Sequence, residues 1–335
     1  MAVQITPRIA WAAVGLLCWA ALTAPVAAQK RSQLSFAVIG DLAYVAAREP
    51  QLDAVLADIN KSPLGFVVHL GDLGGSRAGS CTDELRQMRL RQFQASTHPL
   101  IFTPGDNDWT DCHADQGTPG GDPLERLETL RKVFFPGERS LGKRTLPLVR
   151  QSREPAFASY RENVRWEMSG VTFLTIHVVG SNNGRGRTPQ SDAEYTERTA
   201  ANIAWLAAGF AYAKARASIG VVILQHANMF PGLEPFPDEA KGKDNGFDAT
   251  RAALAKEAAD FGNPVLLVHG DTHFFRVDKP FMRRRGSDPA IENVTRVEGF
   301  GDPFHHWVQI DVEPKNPSVF AIRERIVPAN VNKGR

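Results

Sequence analysis

Phe66-Val67-Val68-His69-Leu70-Gly71-Asp72, residues 66–72, is the stretch whose reading decides the fold. Its near-continuous apolarity is that of a central strand covered on both faces, as in parallel or mixed sheets, and Gly71-Asp72 ends it in a polar turn. The same pattern recurs on both sides. Leu34–Gly40 runs into Asp41, and Leu100–Pro104 into Gly105-Asp106-Asn107-Asp108. Downstream, Val171–Ile176 runs into His177, Ile219–Leu224 into Gln225-His226, and Val265–Val268 into His269-Gly270-Asp271-Thr272-His273. A lone Asp after a strand is an ordinary turn residue or helix cap. Six such strand ends carrying metal-ligand side chains point to one oxygen- and nitrogen-rich site along a sheet edge.

Helical patterns lie between these strands. Leu52, Val55, Leu56 and Ile59 follow the i, i+3, i+4, i+7 spacing of a core-facing stripe. Leu85, Met88 and Phe93 form a weaker stripe, and Leu124, Leu127, Leu130 and Val133 a third. Glu194–Ala215 is the longest helix expected, and Asp248–Asp260 another, with Gly262 as its C-cap. Strands alternating with helices predict an α/β fold with crossover units and a largely parallel or mixed sheet. After His273 the texture changes: Thr295–Glu298, Trp307–Val312 and Val319–Glu324 read as antiparallel strands in a second layer. Ser181–Thr188 and Gly232–Asn245 read as long rim loops rather than linkers, so one domain is expected.

The chain has 335 residues, 43% of them apolar, and a formal net charge of +2. It can bury a core and carries no field suited to nucleic acid. At the N-terminus Arg8 precedes the uncharged run Ile9 to Thr23, and Ala24-Pro25-Val26-Ala27-Ala28 supplies small residues before Gln29. This predicts a secretory signal peptide over residues 1–28, a single domain over 29–335 and a periplasmic or secreted protein. The apolar run is shorter than the roughly 20 residues of a spanning helix, so no membrane span is expected after cleavage. Removal of Cys18 with the signal leaves Cys81 and Cys112, a few residues beyond Asp72 and Asp108. In an oxidising compartment that pair predicts a disulfide tying two of the polar loops together.

Ligands of such sheets bind outside the carboxyl ends of the strands. Asp and His together suit a divalent first-row metal, and several carboxylates suit two. Two ions roughly 3.5–4 Å apart activate a water and clamp both oxygens of a displacement at phosphorus. In strand context and order, the turns resemble those of the calcineurin-like metallophosphoesterases, which include the purple acid phosphatases. That family is read by Gly-Asp-x-His, Gly-Asp-x-x-Asp, Gly-Asn-His-Asp/Glu, an isolated His and Gly-His-x-His. The counterparts are Gly40-Asp41-Leu42-Ala43-Tyr44, Gly71-Asp72-Leu73-Gly74-Gly75, Gly105-Asp106-Asn107-Asp108, Gln225-His226 and Gly270-Asp271-Thr272-His273, spanning about residues 34–275.

The resemblance implies a four-layered metallophosphoesterase-type β-sandwich flanked by helices, with a dinuclear site at one edge. Carried over position by position, Asp41 and His273 bind the first metal, Asp72 bridges, and Asp106, His226 and Asp271 bind the second. The implied activity is hydrolysis of a small phosphorylated substrate by a metal-activated water.

The departures have a chemical direction. Ala43 stands where the family has its first His, and Tyr44, one residue on, is a candidate ligand in its stead. Asp106 falls at the Asn ligand position and Asn107 at the catalytic His position; a shifted register makes Asn107 the ligand. Asp271 replaces a His, and Gly75 an outer Asp. Four carboxylates with two imidazoles favour Mn²⁺, Mg²⁺, Ca²⁺ or iron over Zn²⁺. Loss of the family's acidic His removes a proton donor worth roughly 10²–10⁴-fold in rate. Asn107 and Asp108 are the candidate catalytic residues, with His113 a further possibility on the same loop. The alternative is a weakly active or inactive metal- or ligand-binding member of the same fold. His177 reads as a bystander, Arg185 and Arg187 as solvated loop residues, and His305 and His306 as rim residues.

Overall fold

The computed structural model describes residue 1 and residues 33–75, 81–113, 121–230, 245–281 and 290–331. The described residues from 33 onward belong to one compact unit. The signal-peptide expectation, Met1 apart, lies outside the described residues.

Two sheets make the scaffold. The first is five-stranded, ordered β12-β11-β1-β2-β3, from β1 (Leu34–Ile39), β2 (Phe66–His69), β3 (Leu100–Phe102), β11 (Trp307–Val312) and β12 (Phe320–Arg325). Its β1, β2 and β3 are parallel, and β11 and β12 add antiparallel. The second is seven-stranded, ordered β4-β5-β6-β7-β8-β10-β9. It comprises β4 (Val149–Arg150), β5 (Val164–Met168), β6 (Val171–Thr175), β7 (Gly220–Leu224), β8 (Val265–His269), β9 (Arg276–Asp278) and β10 (Val294–Glu298).

Period-2 alternation sets the layers. Phe36 and Val38 of β1 face a shared core with Val222 and Leu224 of β7 and Leu266 and Val268 of β8. Ala37 and Ile39 face outward onto α1 (Glu49–Lys61), α2 (Asp83–Gln94) and α3 (Pro123–Phe134), through Leu52, Val55, Phe93 and Leu130. Val221, Ile223 and Leu267 face α5 (Pro189–Ala215) and α6 (Asp248–Phe261), through Leu206, Phe210 and Leu254. The molecule is therefore a four-layered α/β sandwich, two sheets face to face with helices outside both. Aromatic rings fill the inter-sheet core: Phe36 stacks on Phe66 at 4.8 Å and Trp166 on Phe173 at 5.1 Å.

The helices begin and end where side chains provide for it. Thr82 caps α2 by accepting from Leu85 N–H, Asp122 caps α3, and Thr188 and Ser191 close a reciprocal box on α5. Gly262 ends α6 in the left-handed conformation. Cys81 and Cys112 are joined in a disulfide. The bond ties the loop after β2 to the loop after β3.

One expectation about the late strands changes. β11 and β12 are antiparallel, but they belong to the first sheet, beside β1. β10 runs parallel to β8 and antiparallel to β9. Its Val294 packs on the helical side and its Val297 on the inter-sheet side, so it is covered on both faces as parallel strands are. Among the described residues, no helix is long and apolar enough to cross a membrane.

Candidate metal centre

The C-terminal ends of β1, β2, β3, β7 and β8 deliver Asp41, Asp72, Asp106, His226, Asp271 and His273 to one place. The turns are tight. Asp41, Asp72, Asp271 and His273 all have left-handed backbone, with φ of 55°, 58°, 77° and 65°. Such residues cost of order 1–3 kcal/mol each, and they persist where surrounding structure holds them. Gly105 shows how closely the ends meet: a Cβ there would lie 2.1 Å from the Asp72 carboxylate.

One half of the cluster is Asp106, His226 and Asp271. His226 Nε2 lies 2.8 Å from Asp106 Oδ1, 3.5 Å from Asp72 Oδ1 and 3.7 Å from Asp271 Oδ1. The other half is Asp41, Asp72, Tyr44 and His273. His273 Nε2 lies 3.5 Å from Asp41 Oδ1. The Tyr44 hydroxyl donates to Asp72 Oδ2 at 2.6 Å and sits 3.0 Å from His273 Nε2. Gly75 makes room for this ring, since a Cβ there would meet it at 3.1 Å. All seven residues read as candidate ligands are thus brought together.

Both imidazoles are oriented the same way. His226 Nδ1 donates to the Leu70 carbonyl at 2.9 Å, and His273 Nδ1 to the Asp302 carbonyl at 2.6 Å. Each therefore turns Nε2 toward the carboxylates, the tautomer and orientation that metal-ligating histidines adopt.

The electrostatics are those of a cluster with too many like charges. Burial pushes Asp72 well above the usual carboxylate range, and the charges of Asp106 and Asp41 push the same way against His226. Burial likewise raises Asp271 to about 7, with Asp106 adding to it. Burial opposes the charged imidazole of His226, yet Asp72, Asp41 and Asp106 raise it well above its ordinary value. Burial and the Asp72 charge drive the Tyr44 hydroxyl up. Two overlapping triads, Asp41–Asp72–His226 and Asp106–His226–Asp271, have ligand atoms within 4.8 Å of one another. Against burial, His226 and His273 hold Asp41 and Asp106 below the usual range. Asp72 and Asp271 are left short of positive charge, and such converging carboxylates fit divalent cations.

The remaining sequence candidates fall into distinct places. Asn107 Nδ2 donates to Asp72 Oδ2 at 2.6 Å, so it borders the cluster while Asp106 faces His226. Asp108 turns away: its carboxylate accepts from the backbone N–H groups of Asp72, Leu73 and Gly105 and organises the loops. His177 is fully buried between Glu162 and the Trp109 indole. Arg187 sits on an exposed loop, as expected, while donating to Asp111 and Thr110, and the half-buried Arg185 lies over the Tyr195 ring. His305 accepts from Ala43 N–H behind the first turn.

Several supporting residues escaped the sequence reading. Ser181 lies in α4 (Gly180–Asn183), a turn with left-handed backbone at Ser181, Asn182 and Asn183. Its hydroxyl lies 2.9 Å from Asp106 Oδ2 and 3.1 Å from Asp111 Oδ2. Asn228 N–H donates to Asp271 Oδ2. The buried Glu298 accepts from the Thr272 hydroxyl and Phe274 N–H, bracing the turn that carries Asp271 and His273. Two runs carried a signal: Gly180–Asn183, as a polar turn after a strand, and residues 293–298, as a segment near the rim of the site.

No protein-family model matches the chain, and no curated protein matches it. Solved structures do align with it, two of them as follows. One is GAP50, the anchor in the inner membrane complex of Plasmodium, at 10% identity and a TM-score of 0.47, covering 90% of this chain and 95% of that one. The other is a candidate 5′-nucleotidase from Staphylococcus aureus in complex with α-ketoglutarate. It aligns at 12% identity and a TM-score of 0.47, covering 88% of this chain and 53% of that one. At these values neither alignment assigns an activity, and the chemistry rests on the residues themselves.

Proposed function

We propose that this chain is a metal-dependent phosphoesterase that hydrolyses a small phosphorylated substrate at a carboxylate-rich dinuclear site. The observation that carries this reading is the shared orientation of His226 and His273. Each is anchored through Nδ1 to a main-chain carbonyl and turns Nε2 to the buried carboxylates. Asp41, Tyr44 and His273 would hold one ion, Asp106, His226 and Asp271 the other, with Asp72 between them. When bound, the ions supply Lewis-acid activation of water and charge stabilisation at phosphorus.

The chain's own groups complete the site. Asp72 is almost buried, whereas the Asp271 and His273 side chains each keep 21% of their exposure, so substrate approaches over that pair. Asn107 borders Asp72 as a fixed amide donor beside the developing charge. Ser181 braces Asp106 from the other side. An oxidising, extracytoplasmic compartment belongs to this reading, supported by the Cys81–Cys112 disulfide and the signal-like pattern of residues 1–28.

A second reading is favoured by Asp108, whose carboxylate is committed to three backbone donors. With Asn107 at the acid position, no imidazole stands where the resemblance places the proton donor, so the site would bind metal without turnover. Assay of the purified chain with general phosphomonoesters and diesters, across Mn²⁺, Mg²⁺, Ca²⁺ and Fe²⁺, separates the two. Hydrolysis with at least one ion, abolished by chelator and by His226→Ala, supports the phosphoesterase. Stoichiometric metal without any turnover supports the binding protein.

A further inference from the structure

The turns after β1 and β2 meet at one buried cation. Arg89 of α2 is fully buried, and its guanidinium lies between those turns. Nε donates to the Leu73 carbonyl at 2.7 Å, and Nη2 to the Ala43 carbonyl at 3.2 Å. Nη1 and Nη2 donate to the two carboxylate oxygens of Glu49, the first residue of α1, at 2.7 and 2.8 Å. Nη1 also donates to Gln92 Oε1 at 2.8 Å. A guanidinium carries five N–H donors in one plane, and here all five are used.

The two carbonyls belong to the turns that carry ligands. Ala43 stands between Asp41 and Tyr44, with left-handed backbone at φ 56°. Leu73 directly follows Asp72. Main-chain bonds join the same turns on either side of the fork. Asp41 N–H donates to the Gly71 carbonyl at 3.1 Å, and Gly75 N–H to the Tyr44 carbonyl at 3.4 Å. Between these two bonds, a rigid plane anchored on Glu49 sets the spacing. Asp108 spans the next pair of turns in the opposite sense, accepting from the N–H groups of Asp72, Leu73 and Gly105. The five bonds of Arg89 reach none of Asp106, His226 and Asp271.

We propose that Arg89 is a positioning residue that sets the distance of Asp41 and Tyr44 from Asp72, and with it the occupancy of the ion held by Asp41, Tyr44 and His273. This role rests on the two-ion reading above. Arg89 acts through the main chain and touches neither ion. Arg89→Lys keeps a positive charge opposite Glu49 but offers a point donor on a flexible stem, which cannot hold two carbonyls in one plane.

Equilibrium dialysis of the full chain against Mn²⁺, with the metal counted by elemental analysis, should give two bound ions. Arg89→Lys should keep one and bind the other about 10- to 100-fold more weakly. Glu49→Gln is the control. It removes the charge opposite the guanidinium but leaves both carbonyl bonds, so it should lower the melting temperature and keep two ions. A second readout needs no metal. The chain has four tyrosines, and in ¹³C-tyrosine-labelled protein the Tyr44 ring signal is assigned by its loss in Tyr44→Phe. In chelator that signal should shift in Arg89→Lys and hold in Glu49→Gln. Two equally tight ions in a folded Arg89→Lys protein overturn the proposal and leave the two-ion reading standing. An unmoved Tyr44 signal, or an equal loss of metal in Glu49→Gln, overturns it too. Fewer than two ions in the parent overturn the two-ion reading and the proposal together. Should Arg89→Lys not fold, the neutral double variant Glu49→Gln/Arg89→Gln replaces it, and two tight ions there overturn the proposal.

Discussion

At the start of β5 and at the strand ends, this molecule buries carboxylates beside imidazoles in two ways. Glu162 meets Arg131 at 2.6 Å and His177 Nδ1 at 2.8 Å, while His177 Nε2 accepts the Trp109 indole N–H at 3.1 Å. Every charge there has a partner, and both ring nitrogens are engaged. Burial works against the Glu162 charge, but Arg131 and His177 hold its carboxyl well below the usual range. At the strand ends, Asp41, Asp72, Asp106 and Asp271 share, among the described residues, the cations of His226 and His273, and burial drives Asp72 and Asp271 upward instead. A buried His–carboxylate pair is scaffold when its charges balance and a candidate site when they do not.

Removing Glu162 should have the largest effect and leave metal alone. Glu162→Gln removes the buried partner of the Arg131 guanidinium, leaving it the exposed Glu128 at 3.2 Å, and should cost about 3 kcal/mol in urea unfolding. Metal affinity of the folded fraction should hold. A matching loss of metal would erase the distinction between the two clusters.

Asp72→Asn should do the reverse. Calorimetric titration with Mn²⁺ should show affinity reduced by about 100-fold or more, because the carboxylate between the two halves is gone. The metal-free protein should melt no lower than the parent, since a carboxylate crowded by Asp41 and Asp106 has been relieved of its charge.

The pH dependence of the metal-free protein sharpens the contrast. Asp271 is raised from 3.8 to about 7, so its contribution to stability is full below pH 3.8 and is lost as pH rises through 7. Glu162, depressed, contributes above its ordinary 4.5 and loses that contribution as pH falls through its lowered folded value. Thermal melting in chelator from pH 4 to 8 should therefore show a declining limb, to which the raised Asp72 and Glu298 carboxyls contribute as well; Asp271→Asn should make it shallower and Glu162→Gln should not. A limb left undiminished by Asp271→Asn would place its origin elsewhere.

Ser181→Ala tests the smallest contribution. Losing the hydroxyl that braces Asp106 should weaken Mn²⁺ binding by roughly fivefold, about 1 kcal/mol, with the melting temperature unchanged. Unchanged affinity would reduce Ser181 to a turn residue.

The sequence pattern made the frame legible because strand and ligand coincide. An apolar run ending in Gly-Asp or in His is local information, and Asp41, Asp72, Asp106, His226, Asp271 and His273 all sit at such ends. Tyr44 was readable as a substitute for the missing His only through the family resemblance, since it stands one residue beyond that position. His177 and His226 look alike in sequence, each following an apolar strand. What separates them is tertiary: Glu162 pairs with one, while three carboxylates crowd the other. The same reason hid Glu298, Asn228 and Ser181, whose partners come from distant segments. Asp108 misled because its acidic side chain reads as chemistry, whereas its three backbone donors belong to the closing of two loops. β10 was read as an antiparallel strand because its parallel pairing with β8 depends on where the chain returns after β9.

The central claim is that the strand-end carboxylates are a metal centre of two halves. Anomalous scattering from crystals of the Mn²⁺-loaded chain tests it most directly. The account predicts two peaks, one among Asp41, Tyr44, Asp72 and His273 and one among Asp72, Asp106, His226 and Asp271. Crystals loaded at saturating Mn²⁺ that show no peak within this cluster would contradict it.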